Sequence, residues 1–208
     1  MAKLRRDATA TKQKILTTAR GLFSRQGYDA TTVDDIAKES QFNKALIYYY
    51  FKNKSGLYSA VMSALFDEIY NAVVEGEREC KSAIEELEVF ISSYASYAYE
   101  NPYFPSLLLR ELSDSGAHTP ELMFESMRRV YMLLSDILIR GQEEKIFIET
   151  TPMIVHFMII GSINLMVTTD SLRKEAVVLD EELDTCSECS AQKVSTDVYQ
   201  IIKKSLLI

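Results

Sequence analysis

The sequence predicts an all-α protein of about nine helices. Apolar residues recur at i, i+3 and i+4 through most segments, as in Ile15, Ala19, Leu22 and Phe23, or Ile84, Leu87, Ile91 and Tyr94. The 208 residues include only seven Gly and four Pro and no Trp, and the alternating β-branched runs that mark strands are scarce. With 47% hydrophobic and 25% charged residues, the chain suits one or two compact domains with a sizeable core and is not a disordered segment.

The first helix is expected from about Thr11 to Gln26, with Gly27 as its left-handed stop. Residues 1–10 are expected as a mobile arm, in which Lys3, Arg5 and Arg6 either reach phosphates or a minor groove or stay solvated. A short helix follows, with Thr32 as its cap, Asp34 and Asp35 in its first turn, and Val33, Ile36 and Ala37 on one face. After the turn Ser40-Gln41-Phe42-Asn43, Asn43 caps a second short helix, Lys44 to Phe51. In that helix Ile47 and Phe51 face a core, while Lys44, Ala45, Tyr49 and Tyr50 point elsewhere. Two short helices joined by a tight turn form a helix-turn-helix, whose second helix lies in a DNA major groove.

The charge distribution agrees. Residues 1–58 hold eleven Lys and Arg against five Asp and Glu, a balance of +6, and the remainder holds twelve against twenty-five, a balance of −13. The net charge of −7 therefore hides a basic nucleic-acid-binding part on an acidic body. Behind the basic N-terminus there is no apolar run, so no signal peptide is expected, and an odd count of three cysteines suits a reducing cytoplasm.

From Lys54 the stripe Leu57, Val61, Leu65, Ile69 and Val73 marks a long helix to about Glu79 that links the two parts. Further helices are expected over Ser82 to Tyr99, closed by Asn101-Pro102, and over Tyr103 to Ser113, followed by a loop through SDSGAHTP. Thr119-Pro120 opens a helix to Gly141, and Thr151-Pro152 opens another to about Lys174. Val177 to Ser190 reads as an acidic loop and Ala191 to Leu207 as the last helix. Met153 to Val167 is too short and too polar for a membrane span, so no membrane partner is expected.

Residues Thr11 to Tyr58 resemble the DNA-binding domain of the TetR (tetracycline-repressor-like) family of bacterial transcriptional regulators. The resemblance rests on Ile15, Ala19, Leu22, Phe23, Gly27-Tyr28, Thr31-Thr32-Val33, Ile36-Ala37, Leu46-Ile47-Tyr48, Tyr50-Phe51, Lys54 and Leu57. The family often has Gly-Thr where this chain has Ala45-Leu46, and commonly His at Tyr50. Leu46 has no hydroxyl, so a DNA contact there does not carry over.

The resemblance implies a DNA-binding domain over residues 1–53 and a helical ligand-binding and dimerisation domain over 54–208. It implies that Tyr48 and Lys54 hold phosphates, that Thr32 adds a phosphate contact, and that Lys44, Ala45, Tyr49 and Tyr50 lie against base edges. Against a core role for the tyrosines, three in a row cannot all be buried by one small domain. In the body the resemblance implies an effector cavity among Tyr94, Tyr97, Phe104, Phe124, Met127, Tyr131 and Phe157, although such a stripe is ordinarily core. It also implies a homodimer through C-terminal helices, involving Met158, Gly161, Ser162, Leu165, Val198, Ile201 and Ile202.

The expected partners are a palindromic double-stranded operator, a small-molecule effector and a second copy of the chain, with no cofactor and no metal. Cys186-Ser187-Glu188-Cys189 has redox or metal spacing, but one CxxC lacks the four ligands of a closed zinc site. It reads as two exposed thiols, with a redox- or metal-responsive regulator as the alternative. Two further function classes are an enzyme and a helical adaptor without a DNA role. No glycine loop, metal cluster or nucleophile elbow supports the enzyme, and only two histidines are available.

Overall fold

The computed structural model describes residues 2–113, 121–179, 186 and 188–208, and these form ten α-helices without a strand. They are α1 (Ala2–Ala30), α2 (Val33–Ser40), α3 (Lys44–Phe51), α4 (Lys54–Glu77), α5 (Ala83–Glu100), α6 (Tyr103–Ser113), α7 (Glu121–Glu143), α8 (Pro152–Thr168), α9 (Asp170–Leu179) and α10 (Ala191–Leu206). They group into two compact units, one of residues up to Asp67 with Ser106–Met127, the other of Glu68–Pro105 with Arg128–Ile208. The division falls inside α4, α6 and α7.

In the first unit, α1 packs on α2 and α2 on α3, and Ile15, Ala19, Leu22 and Phe23 of α1, Ile36 of α2, Ile47 and Phe51 of α3, and Leu57, Tyr58 and Val61 of α4 are buried. At Gly27 the helical path breaks at φ 81°, a backbone that side chains disfavour. The break carries Tyr28 onto Tyr58, ring centroids 5.0 Å apart, while Phe23 meets the same ring edge-on at 4.9 Å. The Tyr58 hydroxyl donates to the buried Glu111 carboxylate of α6 at 2.7 Å. Between α3 and α4 the chain turns through Lys52 (φ 66°), and the Gly56 N–H donates to the Asn53 side chain at 2.7 Å. A Cβ on Gly56 would stand 2.2 Å from the Phe51 carbonyl oxygen.

In the second unit, α5 packs on α10 and α8, and α8 on α10. Leu87, Phe90, Ile91, Ala95 and Ala98 of α5, Ile159 and Ile163 of α8, and Val194, Tyr199 and Ile202 of α10 are buried there. Tyr94 donates to Asn164 at 3.0 Å, which satisfies two buried polar groups at once. Beyond α10, Leu207 forms an antiparallel bridge with Phe147.

The structure differs from the sequence expectation in three places. Residues 2–10 continue α1 in place of the expected arm, because no Gly or Pro interrupts the run before Gly21. The helix expected to reach Lys174 breaks at Thr169, and α8 and α9 meet at 63°. There the Thr168 and Thr169 hydroxyls bond back to Asn164 and Leu165 carbonyls at 2.8 and 2.5 Å, and Asp170 opens the next helix. The loop expected from Val177 begins later, since α9 runs to Leu179. The Thr119-Pro120 start and most of the SDSGAHTP loop lie outside the described residues. No single described helix is long and apolar enough to cross a membrane.

Near the end of α4, Glu77 lies beside Glu86, which Arg140 already pairs, and one Glu77 oxygen is buried without a hydrogen bond. Burial, then the Glu86 charge, push the Glu77 carboxyl up to about 7. The folded protein thus holds a proton that the unfolded chain releases near 4.5, so this contribution to stability is fully present below pH 4.5 and is lost as pH rises from there through about 7. Glu77→Gln should flatten the slope of melting temperature between pH 5 and 8, as measured by calorimetry. In the first unit, Gly56→Ala should lower the unfolding free energy by about 2 kcal/mol in urea titrations, because backbone must shift to admit the methyl group.

Candidate nucleic-acid interface

The helix-turn-helix is built on its caps. The Thr32 side chain accepts from the Asp35 N–H at 3.1 Å, while the Asp35 carboxylate accepts from the Thr32 N–H at 3.1 Å and from its hydroxyl at 2.6 Å. Those hydrogen bonds, the hydroxyl's first, hold the Asp35 carboxyl below its ordinary range. Gln41 ends α2 in the left-handed region (φ 64°), and Asn43 caps α3 by accepting from the Leu46 N–H at 2.8 Å. An eight-residue helix is marginal alone. Here Ile47 and Phe51 anchor it to the core, which leaves the rest of its surface outward.

That surface holds most of the sequence-predicted DNA residues. Tyr49 is 78% exposed and Tyr48 46%, whereas Tyr50 is half-buried with its ring 5.2 Å from that of Tyr49. Ala45 is exposed, and so is Lys44, whose ammonium lies 2.5 Å from the Asp34 carboxylate of α2. That hydrogen bond raises the Lys44 pKa above its ordinary value. Thr32 is exposed at the start of α2. Lys54, at the start of α4, is half-buried, 4.2 Å over the Tyr28 ring and donating to the Asp29 carbonyl at 3.2 Å. Sequence reasoning missed two cations of α1. Lys12 lies 5.8 Å over the Phe51 ring and Lys14 5.4 Å over that of Phe42, beside the motif. The basic balance of residues 1–58 already counted them, but no spacing rule assigned them a role.

The residues expected around an effector fall into separate places. Tyr94, Tyr97 and Phe104 form one buried cluster, with Tyr94 and Tyr97 edge-on to Phe104 at 6.3 and 5.7 Å. Burial pushes the Tyr94 phenol well up, and the Tyr97 hydroxyl donates to Glu68 at 2.6 Å. Tyr131 is half-buried with its ring 5.4 Å from that of His156, and Phe157, whose ring is 5.9 Å from the same imidazole, is 61% exposed. Burial pulls His156 down to about 4 and leaves its Nδ1 without a partner, so the ring is neutral at pH 7. Phe124 is exposed, and it and Met127 belong to the first unit. Of the seven, Tyr97 lines a groove of about 290 Å³ with Ala72, Ser92, Ser93, Ser96 and Glu100.

Among the expected dimer residues, Met158, Ser162 and Leu165 of α8 and Ile201 of α10 are exposed, Ile201 by 63%. Val198 is half-buried, and a Cβ on Gly161 would meet open space. Ile202 is buried within its own unit and so presents nothing to a second copy. Ile154 and Phe157 extend the same apolar side of α8, and sequence reasoning missed Ile154. The cysteines differ from the expected pair of thiols: Cys186 and Cys189 are joined as a disulfide, with Cα atoms 5.2 Å apart. Among the described residues no group of three His, Cys, Asp or Glu could hold a metal.

Comparison with known proteins places this geometry. Residues 15–61 match the family model of bacterial regulatory proteins, tetR family. The chain is 36% identical over 83 residues to the biofilm operon icaADBC HTH-type negative transcriptional regulator IcaR of Staphylococcus aureus (strain Newman), a match covering 40% of this chain and 45% of that protein. The chain therefore spans less than half the length of that relative. It is 28% identical over 153 residues to the probable HTH-type transcriptional regulator YttP of Bacillus subtilis (strain 168), covering 72% of each. The fold resembles that of the transcriptional regulator FadR from Bacillus subtilis in complex with stearoyl-CoA, with a TM-score of 0.72 at 23% identity over 93% of this chain and 98% of that one. None of the three is described as an enzyme. The capped helix-turn-helix agrees with these matches: residues 15–61 form a DNA-binding domain of the tetR family of bacterial regulatory proteins, and the fold of the whole chain is that of such regulators.

Proposed function

We propose that the protein is a cytoplasmic, ligand-responsive homodimeric regulator of transcription. It acts as a repressor that leaves a palindromic operator when a small molecule binds its C-terminal domain. DNA binding is assigned to residues 1–53, effector binding and dimerisation to 54–208. The observation that carries this reading is α3, held by Ile47 and Phe51 and by the Asn43 cap, with Tyr48 and Tyr49 exposed. Tyr48, Lys54 and Thr32 take phosphates, while Lys44, Ala45, Tyr49 and Tyr50 read base edges. The negative regulation in IcaR's description supports repression, and the stearoyl-CoA complex of FadR supports a small-molecule effector.

The dimer reading rests on chemistry. Ile154, Phe157, Met158 and Leu165 of α8 with Ile201 of α10 leave an apolar surface that water penalises and a second copy covers. Two heads at fixed spacing then match a two-fold operator. The effector moves this equilibrium only by its difference in affinity between the DNA-bound and released states.

Genomic DNA fragments selected by the purified chain should yield a palindrome. A folded sample that enriches nothing would leave a helical adaptor as the better reading. On the recovered site, Lys54→Ala and Tyr48→Phe should weaken binding to all sequences alike, and Lys54→Ala should lower the salt slope by about one. Tyr49→Ala should instead cost about 1–3 kcal/mol on the recovered site and little on random DNA, as read in parallel titrations. Leu165→Glu with Ile201→Glu should give a monomer by light scattering, with the helical circular dichroism retained and operator binding lost.

A further inference from the structure

We propose that Cys186 and Cys189 form a reversible thiol–disulfide site whose closed form locks the junction between α8 and α9. The bridge joins Cα atoms 5.2 Å apart, within the range a disulfide spans without backbone movement. Cys186 sits at φ 49°, a left-handed conformation that a non-glycine residue adopts only when its surroundings hold it there. The Cys189 N–H closes the turn onto the Cys186 carbonyl at 3.2 Å. Arg173 does the rest of the holding. Its guanidinium donates to that same carbonyl and to the Met166 carbonyl of α8, both at 2.5 Å, and to the Thr169 hydroxyl at 3.3 Å. One side chain thus fastens the cysteine turn to the last turn of α8 at the break where α9 begins.

The sulfurs are within reach of reagents. Both cysteines are half-exposed, and Cys189 lines a groove of about 480 Å³ together with Tyr99, Val167, Asp170 and Lys174. The nearby cations are engaged, Lys174 by Asp170 at 2.7 Å and Arg173 by the Cys186 and Met166 carbonyls, so the case rests on exposure and geometry.

The oxidant is a hydroperoxide. One thiolate attacks the peroxide, the O–O bond breaks, the alcohol leaves with a proton, and a sulfenic acid remains. The second thiol displaces its oxygen as water while the S–S bond forms. Two thiols thereby lose two electrons, and the hydroperoxide becomes an alcohol and water. A low-molecular-weight thiol reverses the change, two molecules of it ending as their own disulfide. That the dithiol is the resting form rests on the cytoplasmic reading above; the exchange chemistry does not.

The test uses the full chain, reduced with dithiothreitol, freed of it, and treated or not with hydrogen peroxide. Alkylation under denaturing conditions and intact mass should count three labels on the reduced chain, at Cys80, Cys186 and Cys189, and one after peroxide. Renewed dithiothreitol should restore three. Amide exchange over Thr168 to Arg173 should be about tenfold slower in the oxidised form, and the difference should vanish in the Cys186→Ser, Cys189→Ser chain. Three labels surviving peroxide would overturn the thiol chemistry, and equal exchange in the two forms would overturn the lock. Neither readout involves DNA, so either failure stands apart from a failure of the regulator reading.

Discussion

The hydrogen bond from Tyr58 to Glu111 is the interaction on which the first unit turns. A carboxylate as buried as Glu111 is costly unless donors meet it, and Tyr58 supplies one across 53 positions of sequence at 2.7 Å. The same phenol ring is the floor on which Phe23 and Tyr28 rest, so α1, α4 and α6 share one side chain. Tyr28 reaches it only because Gly27 takes a positive φ, and a Cβ there would in addition stand 2.7 Å from the Arg110 guanidinium. A hydrogen bond to a charged group contributes about 1.5–3 kcal/mol, and removing either partner exposes the other's desolvation cost. This network therefore braces the start of α4, seven residues beyond the end of α3, against α1 and α6.

With the start of α4 braced in this way, so short a helix as α3 is held at its far end as well as by its own anchors. Its outward residues add little to its stability beyond the exposed Lys44–Asp34 pair, since Ile47, Phe51 and the Asn43 cap hold it in place. Tyr48 and Tyr49 stay outside because one face of a two-turn helix has room for two anchors only. Aromatic stems with polar tips suit such a position. They fix few rotatable bonds on contact, and they can meet a phosphate, a base edge or a thymine methyl.

Periodicity reveals much of this. The stripes of α1, α4 and α5 and the capped motif around α3 are legible because each has one apolar side and a clear cap. The pocket set is not, because α8 is apolar nearly all round and period alone does not tell an inner from an outer residue there. Phe157 is expected inward and lies outward, while Ile202 is expected outward and lies inward, only about 100° around the helix from Ile201. Deciding between those two isoleucines requires knowing that α5 and α8 both pack on α10. The break at Thr169 depends on hydroxyls turning back to carbonyls, a competition that composition conceals. The CxxC spacing is plain in the sequence, but the 5.2 Å Cα separation that lets the two sulfurs join is a property of the fold.

The charge split gains meaning from the pairs within it. Lys44 is engaged by Asp34, and Arg25 by Glu39 at 3.1 Å, so part of the basic surplus of residues 1–58 is already balanced locally. Exposed pairs of this kind are weak, and a phosphate can compete for the cation. On the proposed reading, long-range attraction draws the basic part of the chain to DNA, and this steering requires no exact contact. On the same reading, discrimination among sequences falls chiefly on Tyr49 and Tyr50, whose contacts depend on shape and hydrogen-bond direction and little on charge. Affinity should thus vary strongly with salt while the ranking of sites varies little, because the two properties reside in different side chains.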